Sequence, residues 1–321
     1  MAGVTTAGTV RVGIVSWNTA ALLDRCLAAL PAALHGWDAS IVVVDNASSD
    51  GSASLAAGHS GVTVIGNAAN VGYARAMNQA LAGAGAPVLI ALNPDTEPGP
   101  GSLALLADRL LANPLVGLVA PRLVNADGST QYSARRFPSL GVATAGAVVP
   151  VRWHAGSLGR RLLLEHASRP ETSRDIDWAI GAVHVIRTAA LAGRPPYDER
   201  WFMYAEDIEL CWRLAQRGWR RRLEADIVVS HVGNAAGERA WGDAYNRRCL
   251  DAIYDWYERD RGTVEVRAWA AMNTLGVASR ALFGSASGRD ADHVAWLWRA
   301  VPYHARVVLK GAPPLTGPPP G

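Results

Sequence analysis

The chain has a single lysine, Lys310, among its 321 residues, and three cysteines, Cys26, Cys211 and Cys249. The cysteines are odd in number, far apart and in no metal-like spacing. That argues against a disulfide framework and points to a reducing compartment. No run reaches the roughly 18 uninterrupted apolar residues of a membrane span. Residues 1–9 lack the basic stretch and apolar core of a secretory signal. The expectation is a cytosolic protein, soluble or peripheral to the inner face of a membrane. A formal net charge of +3 is too small to argue for nucleic acid. The turn after the first apolar run, Ser16-Trp17-Asn18-Thr19-Ala20, contains no glycine. A nicotinamide-binding Rossmann domain needs glycine there to let the backbone approach a pyrophosphate, so that class is disfavoured.

What is present is a globular composition, with 50% hydrophobic and 18% charged residues, enough to build a sizeable core. Short apolar β runs at 10–15, 41–44, 62–65, 87–92 and 116–120 alternate with helical patterns. The helices are expected from about 20 to Pro31, after Gly51, from 70 to 82 and from 102 to 112. Thr19 or Asn18 is positioned to cap the first helix. Strand–helix alternation of this kind predicts an α/β fold with a mostly parallel sheet and helices on its faces. Ligands in such sheets bind at the carboxyl ends of the strands. Trp17-Asn18, Asp45-Asn46 and Asn93-Pro94-Asp95 each directly follow an apolar strand run.

The later chain is less regular. Asn125-Ala126-Asp127-Gly128 is a hairpin turn signal, and 141–173 has weak periodicity. A strand is expected over 175–185, with Gly181-Ala182 in its middle marking a close approach of ligand or backbone. Two short strands are expected at 219–223 and 227–229, with Arg220-Arg221-Arg222 read as a solvated charge run. His231 follows, then a Gly/Ala-rich loop carrying Arg239. Helices are expected at about 241–260, 263–283 and 291–310, the last with Trp296, Trp298 and Tyr303 beside arginines, a composition that suits a membrane interface or packing on its own domain. The expected layout is a disordered 1–9, a catalytic domain over 10–235, a helical region over 236–311 and a disordered tail over 312–321.

The stretch Trp201-Phe202-Met203-Tyr204-Ala205-Glu206-Asp207-Ile208-Glu209-Leu210-Cys211-Trp212-Arg213-Leu214 runs from aromatics into three carboxylates and then into a helical pattern. A carboxylate there is a candidate general base. Acids in a first helical turn also simply meet the positive end of the helix dipole, and this stretch alone does not separate the two readings.

Taken in order, Val15-Ser16-Trp17-Asn18, Val43-Val44-Asp45-Asn46-Ala47-Ser48-Ser49-Asp50-Gly51, Asn70-Val71-Gly72-Tyr73-Ala74 with Asn78, Leu92-Asn93-Pro94-Asp95, Gly181-Ala182, Tyr204-Ala205-Glu206-Asp207-Ile208-Glu209-Leu210-Cys211-Trp212-Arg213 and His231 resemble the family-2 glycosyltransferases, which have the GT-A fold. The resemblance covers about residues 10–235. Asp127-Gly128-Ser129 followed by Ser133-Ala134-Arg135-Arg136-Phe137-Pro138-Ser139, together with Phe202-Met203-Tyr204, is similar to the bacterial rhamnosyltransferases of cell-wall and O-antigen assembly.

The resemblance implies a role for each matched position. Asp45 contacts the base or ribose of a nucleotide, with Trp17, Asn18, Asn46, Asn70, Gly72, Asn78, Asn93 and Asp95 on the nucleotide-sugar side. The plainer reading of Asp45 is a cap for the turn through Ser48-Ser49. Asp95 corresponds to the last acid of the family's metal-binding Asp-x-Asp motif, whose first acid is here Asn93. With His231 it would hold Mg²⁺ or Mn²⁺, the diphosphate completing the set. On residue type alone Asp95 is also a turn residue and His231 a structural histidine. Asp207 matches the catalytic base, with Glu206 beside it and Gly181 and Ala182 on the acceptor side. Arg239 is a candidate diphosphate clamp. The implied activity is an inverting, metal-dependent transfer of L-rhamnose from dTDP-L-rhamnose to a lipid-linked or growing cell-envelope glycan. The alternatives are a UDP-sugar transferase such as a galactofuranosyltransferase and, from another class, a non-catalytic nucleotide-binding glycan-assembly protein.

Overall fold

A computed structural model describes residues 8–83, 85–148, 171–233, 245–286 and 291–315. The described chain forms two compact units. The first runs to Ala134 and resumes from 171 to Tyr245; the second takes 135–148 and 246–315.

The first unit is built on strands β1 (Thr9–Ser16), β2 (Asp38–Asp45), β3 (Val62–Gly66), β4 (Val88–Leu92), β5 (Thr96–Pro98) and β6 (Val116–Val124). They alternate with helices α1 (Ala20–Ala33), α2 (Ser52–Ala57), α3 (Tyr73–Leu81) and α4 (Ser102–Ala112). After the two-residue strand β7 (Ala134–Arg135) and helix α5 (Leu140–Val148) come β8 (Arg174–Asp175), β9 (Trp178–Ala179), β10 (Val183–Arg187), helix α6 (Glu206–Gln216) and β11 (Arg220–His231).

The main sheet has the order β3-β2-β1-β4-β10-β6-β11-β5, with β8 added against β11. β1 pairs in parallel with β2 and β4, and β2 with β3. β10 is antiparallel to both β4 and β6, whereas β6 and β11 are parallel. The carboxyl ends of β1, β2, β4, β6 and β11 therefore lie on one edge, and the amino end of β10 joins them, Val183 opposite Leu92. β4, Val-Leu-Ile-Ala-Leu, is buried along its whole length, as expected of a strand covered on both faces. Val12, Ile14, Leu23, Leu30, Ile90, Leu103, Leu106 and Leu110 are all fully inaccessible and join strands to helices in one core. Each such side chain contributes about 1.5–3 kcal/mol of transfer free energy.

Five local expectations are corrected. α1 carries Pro31 inside it; the helix ends two residues later, so little of its bonding is lost. Its first N–H is not capped by Thr19, whose hydroxyl turns to Ser16 at 2.9 Å. Asp50 of the next loop caps it instead, accepting from Ala20 N–H at 2.8 Å. The run 175–185 forms β8, β9 and β10 rather than one strand. The two strands expected at 219–229 are one strand, β11, with an irregularity between Glu224 and Val228 in its pairing to β6. Nor is the arginine run simply solvated: Arg220 binds Asp175 through two hydrogen bonds of 2.7 and 3.0 Å, Arg221 donates to Asp177 O and Arg222 donates to Glu224. The first ties β8 to β11 and the second ties the residues after β8 to it.

The second unit consists of α5 with helices α7 (Tyr245–Arg261), α8 (Thr263–Ala286) and α9 (Ala291–Lys310). α8 packs on α5 and α9. An aromatic cluster stacks Tyr257 on Trp269 at 4.7 Å, with Tyr254 tilted against the same indole. The Tyr254 hydroxyl meets His304 Nδ1 at 2.7 Å. Among the described residues no helix is long and apolar enough to cross a membrane.

Candidate active site

The carboxyl edge of the sheet collects nearly all of the polar motifs. On the β1–β2–β3 side, the turn after β1 puts Asn18 in the left-handed region, φ 53°. Asn18 Oδ1 accepts from Ser49 N–H at 2.8 Å, and its own N–H donates to Ser48 Oγ. The loops after β1 and β2 are thus sewn together. Asp45 ends β2, buried at 5% exposure. Its Oδ2 accepts from Ser48 N–H at 3.0 Å, so the capping role is real, but its Oδ1 is buried with no hydrogen bond. That leaves one acceptor for a ligand N–H or hydroxyl.

Asn46 behaves differently. Its Nδ2 donates to Asn70 Oδ1 at 2.7 Å and to Gly72 O at 3.4 Å. Its Oδ1 accepts from Asn67 Nδ2 at 3.1 Å and Val71 N–H at 3.0 Å. Both donors and both lone pairs are used. Asn70 Oδ1 also takes Gly72 N–H. Asn46 and Asn70 thereby shape the loop that delivers α3. Gly72 has φ +87°, and a Cβ there would lie 2.5 Å from Phe202 O. Only glycine allows this approach, at which Tyr73 N–H donates to Phe202 O at 2.7 Å.

That contact anchors the strained turn before α6. Tyr204 and Ala205 are consecutive non-glycine residues with φ 72° and 67°, a conformation costing about 1–3 kcal/mol per residue. The turn lets α6 begin at Glu206, with Glu206, Asp207 and Glu209 in its first turn, where the helix dipole favours negative charge. Asp207 is half-buried; its Oδ1 accepts from Ile208 N–H at 2.8 Å and its Oδ2 from Gly181 N–H at 3.2 Å. Glu206 is 6% exposed with Oε2 unpaired. Burial, and then the neighbouring Asp207, push its carboxyl well above the usual range, which favours the protonated form. The Tyr73 hydroxyl donates to Gly181 O, and its pKa is raised, first by burial and then by Glu206 and Asp207.

Asp95 follows β4. Ala182 O accepts from Asn93 N–H at 2.9 Å, and Asp95 O accepts from Val232 N–H at 2.9 Å. The second bond draws the end of β11 to this loop and sets His231 beside Asp95. Their Nε2 and Oδ1 are 3.3 Å apart, with side chains 7% and 8% exposed. Neither atom makes a hydrogen bond. Gln131 Oε1 meets His231 Nδ1 at 2.8 Å. Two buried lone pairs that face each other repel, and either a proton on Nε2 or a cation between them relieves this. Ligands 2.0–2.1 Å from Mg²⁺ at right angles lie about 3 Å apart, so the pair fits a divalent ion. Among the described residues no cluster reaches three His, Cys, Asp or Glu ligands; oxygens of a bound diphosphate would have to complete such a site.

Gly181 and Ala182 reach the edge, joined to Asp207 and Asn93. Trp17 lies on the first loop, half-buried. Asn78 does not come to this edge. It is turned to the 195–199 segment, donating to Tyr197 O at 2.8 Å and accepting from Tyr197 N–H at 3.1 Å. With Gln79, Thr188, Leu191 and Arg194 it lines a cavity at the amino ends of β4. Arg239 lies outside the described residues. Two residues were missed from the sequence. Tyr73 sits inside a quoted motif but is chemically bland, and only its surroundings single it out. Gln131 lies two residues past Asp127-Gly128-Ser129, a spacing that carries no chemical signal.

This fold and edge define the GT-A class of nucleotide-diphospho-sugar transferases. A model of the glycosyl transferase family 2 matches residues 11–168. The N-acetylglucosaminyl-diphospho-decaprenol L-rhamnosyltransferase of Mycobacterium tuberculosis is 33% identical over 239 residues, 70% of this chain and 76% of that protein. The pre-mycofactocin glycosyltransferase of the same organism is 29% identical over 199 residues, 60% of this chain and 37% of that protein. A mannosyltransferase from Pyrobaculum calidifontis, solved with GDP-Man and Mn²⁺, superposes with a TM-score of 0.58 at 18% identity, covering 96% of this chain and 88% of that one; the likeness is one of fold. The chain belongs to the glycosyl transferase family 2 and is a glycosyltransferase that resembles the bacterial rhamnosyltransferases.

Proposed function

We propose that residues 10–235 form an inverting, divalent-cation-dependent transferase that moves L-rhamnose from dTDP-L-rhamnose to a lipid-linked or growing cell-envelope glycan. The carrying observation is the set of buried, unpaired polar atoms on one sheet edge: Asp45 Oδ1, Asp95 Oδ1 and His231 Nε2. The choice of donor and acceptor is supported by the relative named for rhamnosyl transfer to a decaprenol-linked sugar.

In this reading Asp45 accepts from the nucleotide. Asp95 and His231 hold Mg²⁺ or Mn²⁺, which when bound neutralises charge on the diphosphate. Asp207, oriented by two backbone N–H groups, takes the proton from the acceptor hydroxyl as its oxygen bonds to the anomeric carbon. The bond to the diphosphate breaks on the opposite face, and the nucleoside diphosphate leaves with the electron pair. Glu206, in the protonated form its surroundings favour, adds no charge beside the base and can donate a hydrogen bond to the acceptor. Catalysis takes place at the cytoplasmic face of the membrane, with α9 as the contact. Trp296, Trp298 and Leu309 are 51, 42 and 75% exposed on that helix, beside Arg299, Arg306 and Lys310, and such mixed faces favour an anionic interface.

A donor panel tests the reading. Purified protein with Mg²⁺ or Mn²⁺ should be stabilised by dTDP-rhamnose and release dTDP in the presence of a prenyl-linked sugar. Response to UDP-galactofuranose or another UDP-sugar instead reassigns the donor. Silence with every donor, including hydrolysis, favours a binding protein without turnover. Deleting residues 291–321 should release the protein from anionic vesicles; unchanged binding rules out α9 as the contact.

A further inference from the structure

The turn that resembles the rhamnosyltransferase motif, Asp127-Gly128-Ser129, is joined to His231 by an unbroken chain of hydrogen bonds. Asp127 Oδ1 accepts from the Ser129 hydroxyl at 2.5 Å. Ser129 Oγ accepts from Asn125 Nδ2 at 2.8 Å. Asn125 Oδ1 accepts from Gln131 Nε2 at 2.6 Å, and Gln131 Oε1 meets His231 Nδ1 at 2.8 Å. The direction of this chain is set by one atom. Gln131 Nε2 also reaches the His231 main-chain oxygen at 2.7 Å, and a carbonyl can only accept. The Gln131 amide therefore cannot be flipped, its Oε1 must face the ring, and Nδ1 must carry the proton. In the neutral ring Nε2 is then left with its lone pair toward Asp95.

We propose that Gln131, braced by Asn125 and the Asp127–Ser129 turn, is a positioning residue that fixes the Nδ1–H form of His231 and so makes Nε2 a cation ligand. The proposal rests on the reading of Asp95 and His231 as cation ligands. Partners of this kind on the far nitrogen of a ligating histidine set the ring's tautomer and orientation, and losing one typically weakens metal affinity about 10–100-fold. The arrangement gives the turn motif a function that no contact with substrate requires.

The test titrates full-length protein with Mn²⁺ by electron paramagnetic resonance at saturating dTDP. Gln131→Met should weaken Mn²⁺ binding about 10–100-fold, with kcat recovered at high Mn²⁺. Gln131→Leu, which likewise offers Nδ1 no acceptor, should weaken it by a similar factor. A Met or Leu variant that binds like wild type overturns the proposal. A second readout needs no variant: long-range ¹H–¹⁵N spectra of the metal-free protein should show a proton on His231 Nδ1. A bare Nδ1 overturns the positioning role even if Mn²⁺ binds. Wild-type protein that binds no Mn²⁺ with dTDP overturns the cation reading itself, and the proposal with it.

Discussion

Asn46 and His231 are both buried at the carboxyl edge of the same sheet, and they differ in what each leaves over. Asn46 gives every donor and acceptor it has to Asn67, Asn70, Val71 and Gly72. His231 gives one nitrogen to Gln131 and leaves the other facing Asp95, both atoms unpaired. A buried polar group without a partner costs about 1–3 kcal/mol. A saturated network therefore has nothing left for a ligand, whereas adjacent buried atoms with unused capacity are where a bound ligand gains most. His184 makes the same point within one residue type. It is fully buried, with Nε2 at 3.0 Å from Ala179 O and Nδ1 at 3.1 Å from the Tyr197 hydroxyl. Burial lowers its pKa to about 4, so it is a neutral core histidine with nothing to offer a ligand.

The contrast can be broken by substitution. The largest effect is expected at the open side: Asp207→Asn should lower kcat about 10²–10⁴-fold while donor binding, read by calorimetry, is retained. Equal loss of both would make Asp207 a structural residue. Gly72→Ala comes next, because it meets a left-handed φ and the Phe202 carbonyl together. It should destabilise the fold by about 3 kcal/mol, seen as a lower urea midpoint; a wild-type midpoint would mean the 202–205 turn is not held there. Asn46→Ala strands several partners and should cost about 2–3 kcal/mol, with the midpoint lowered before any specific change in Mn²⁺ affinity. If instead it weakens donor binding at unchanged stability, the closed network is a binding site after all.

A last effect, one that depends on pH, concerns Glu206. Its carboxyl is protonated in the folded chain, and ionised in the unfolded one, between the unfolded pKa and the raised folded pKa. Folding takes up a proton in that window, so stability falls as pH rises, by at most about 1.4 kcal/mol per unit. Glu206→Gln removes this slope. Its melting temperature should match wild type below about pH 4.5 and exceed it increasingly as the pH rises from there; parallel curves would mean that the carboxyl titrates normally.

Much of this molecule is legible from local pattern. Apolar strand runs, helical spacings and the polar residues just past 15, 44 and 92 are short-range features, and they suffice for the α/β sheet and its active edge. The acids at 206 and 207, Asp95 and His231 are readable because their residue types and order resemble a family. Residue type alone could not separate the roles of similar side chains. Asn46, Asn70 and Asn78 read alike as polar residues near a nucleotide, yet the first two shape a loop and the third faces the opposite end of the sheet. The arginine run 220–222 reads as solvated until β8 arrives beside it.

Asp95 and His231 are separated by more than a hundred residues, and only the antiparallel pairing of β5 with β11, His231 opposite Thr96, brings them together. The raised pKa of Glu206 comes from burial, the neutrality of His184 from its surroundings, and the proton on His231 from an amide held by a distant turn. Sequence pattern reports what each residue can donate or accept. Which of those capacities is spent, and which is left for a ligand, depends on partners that the fold alone supplies.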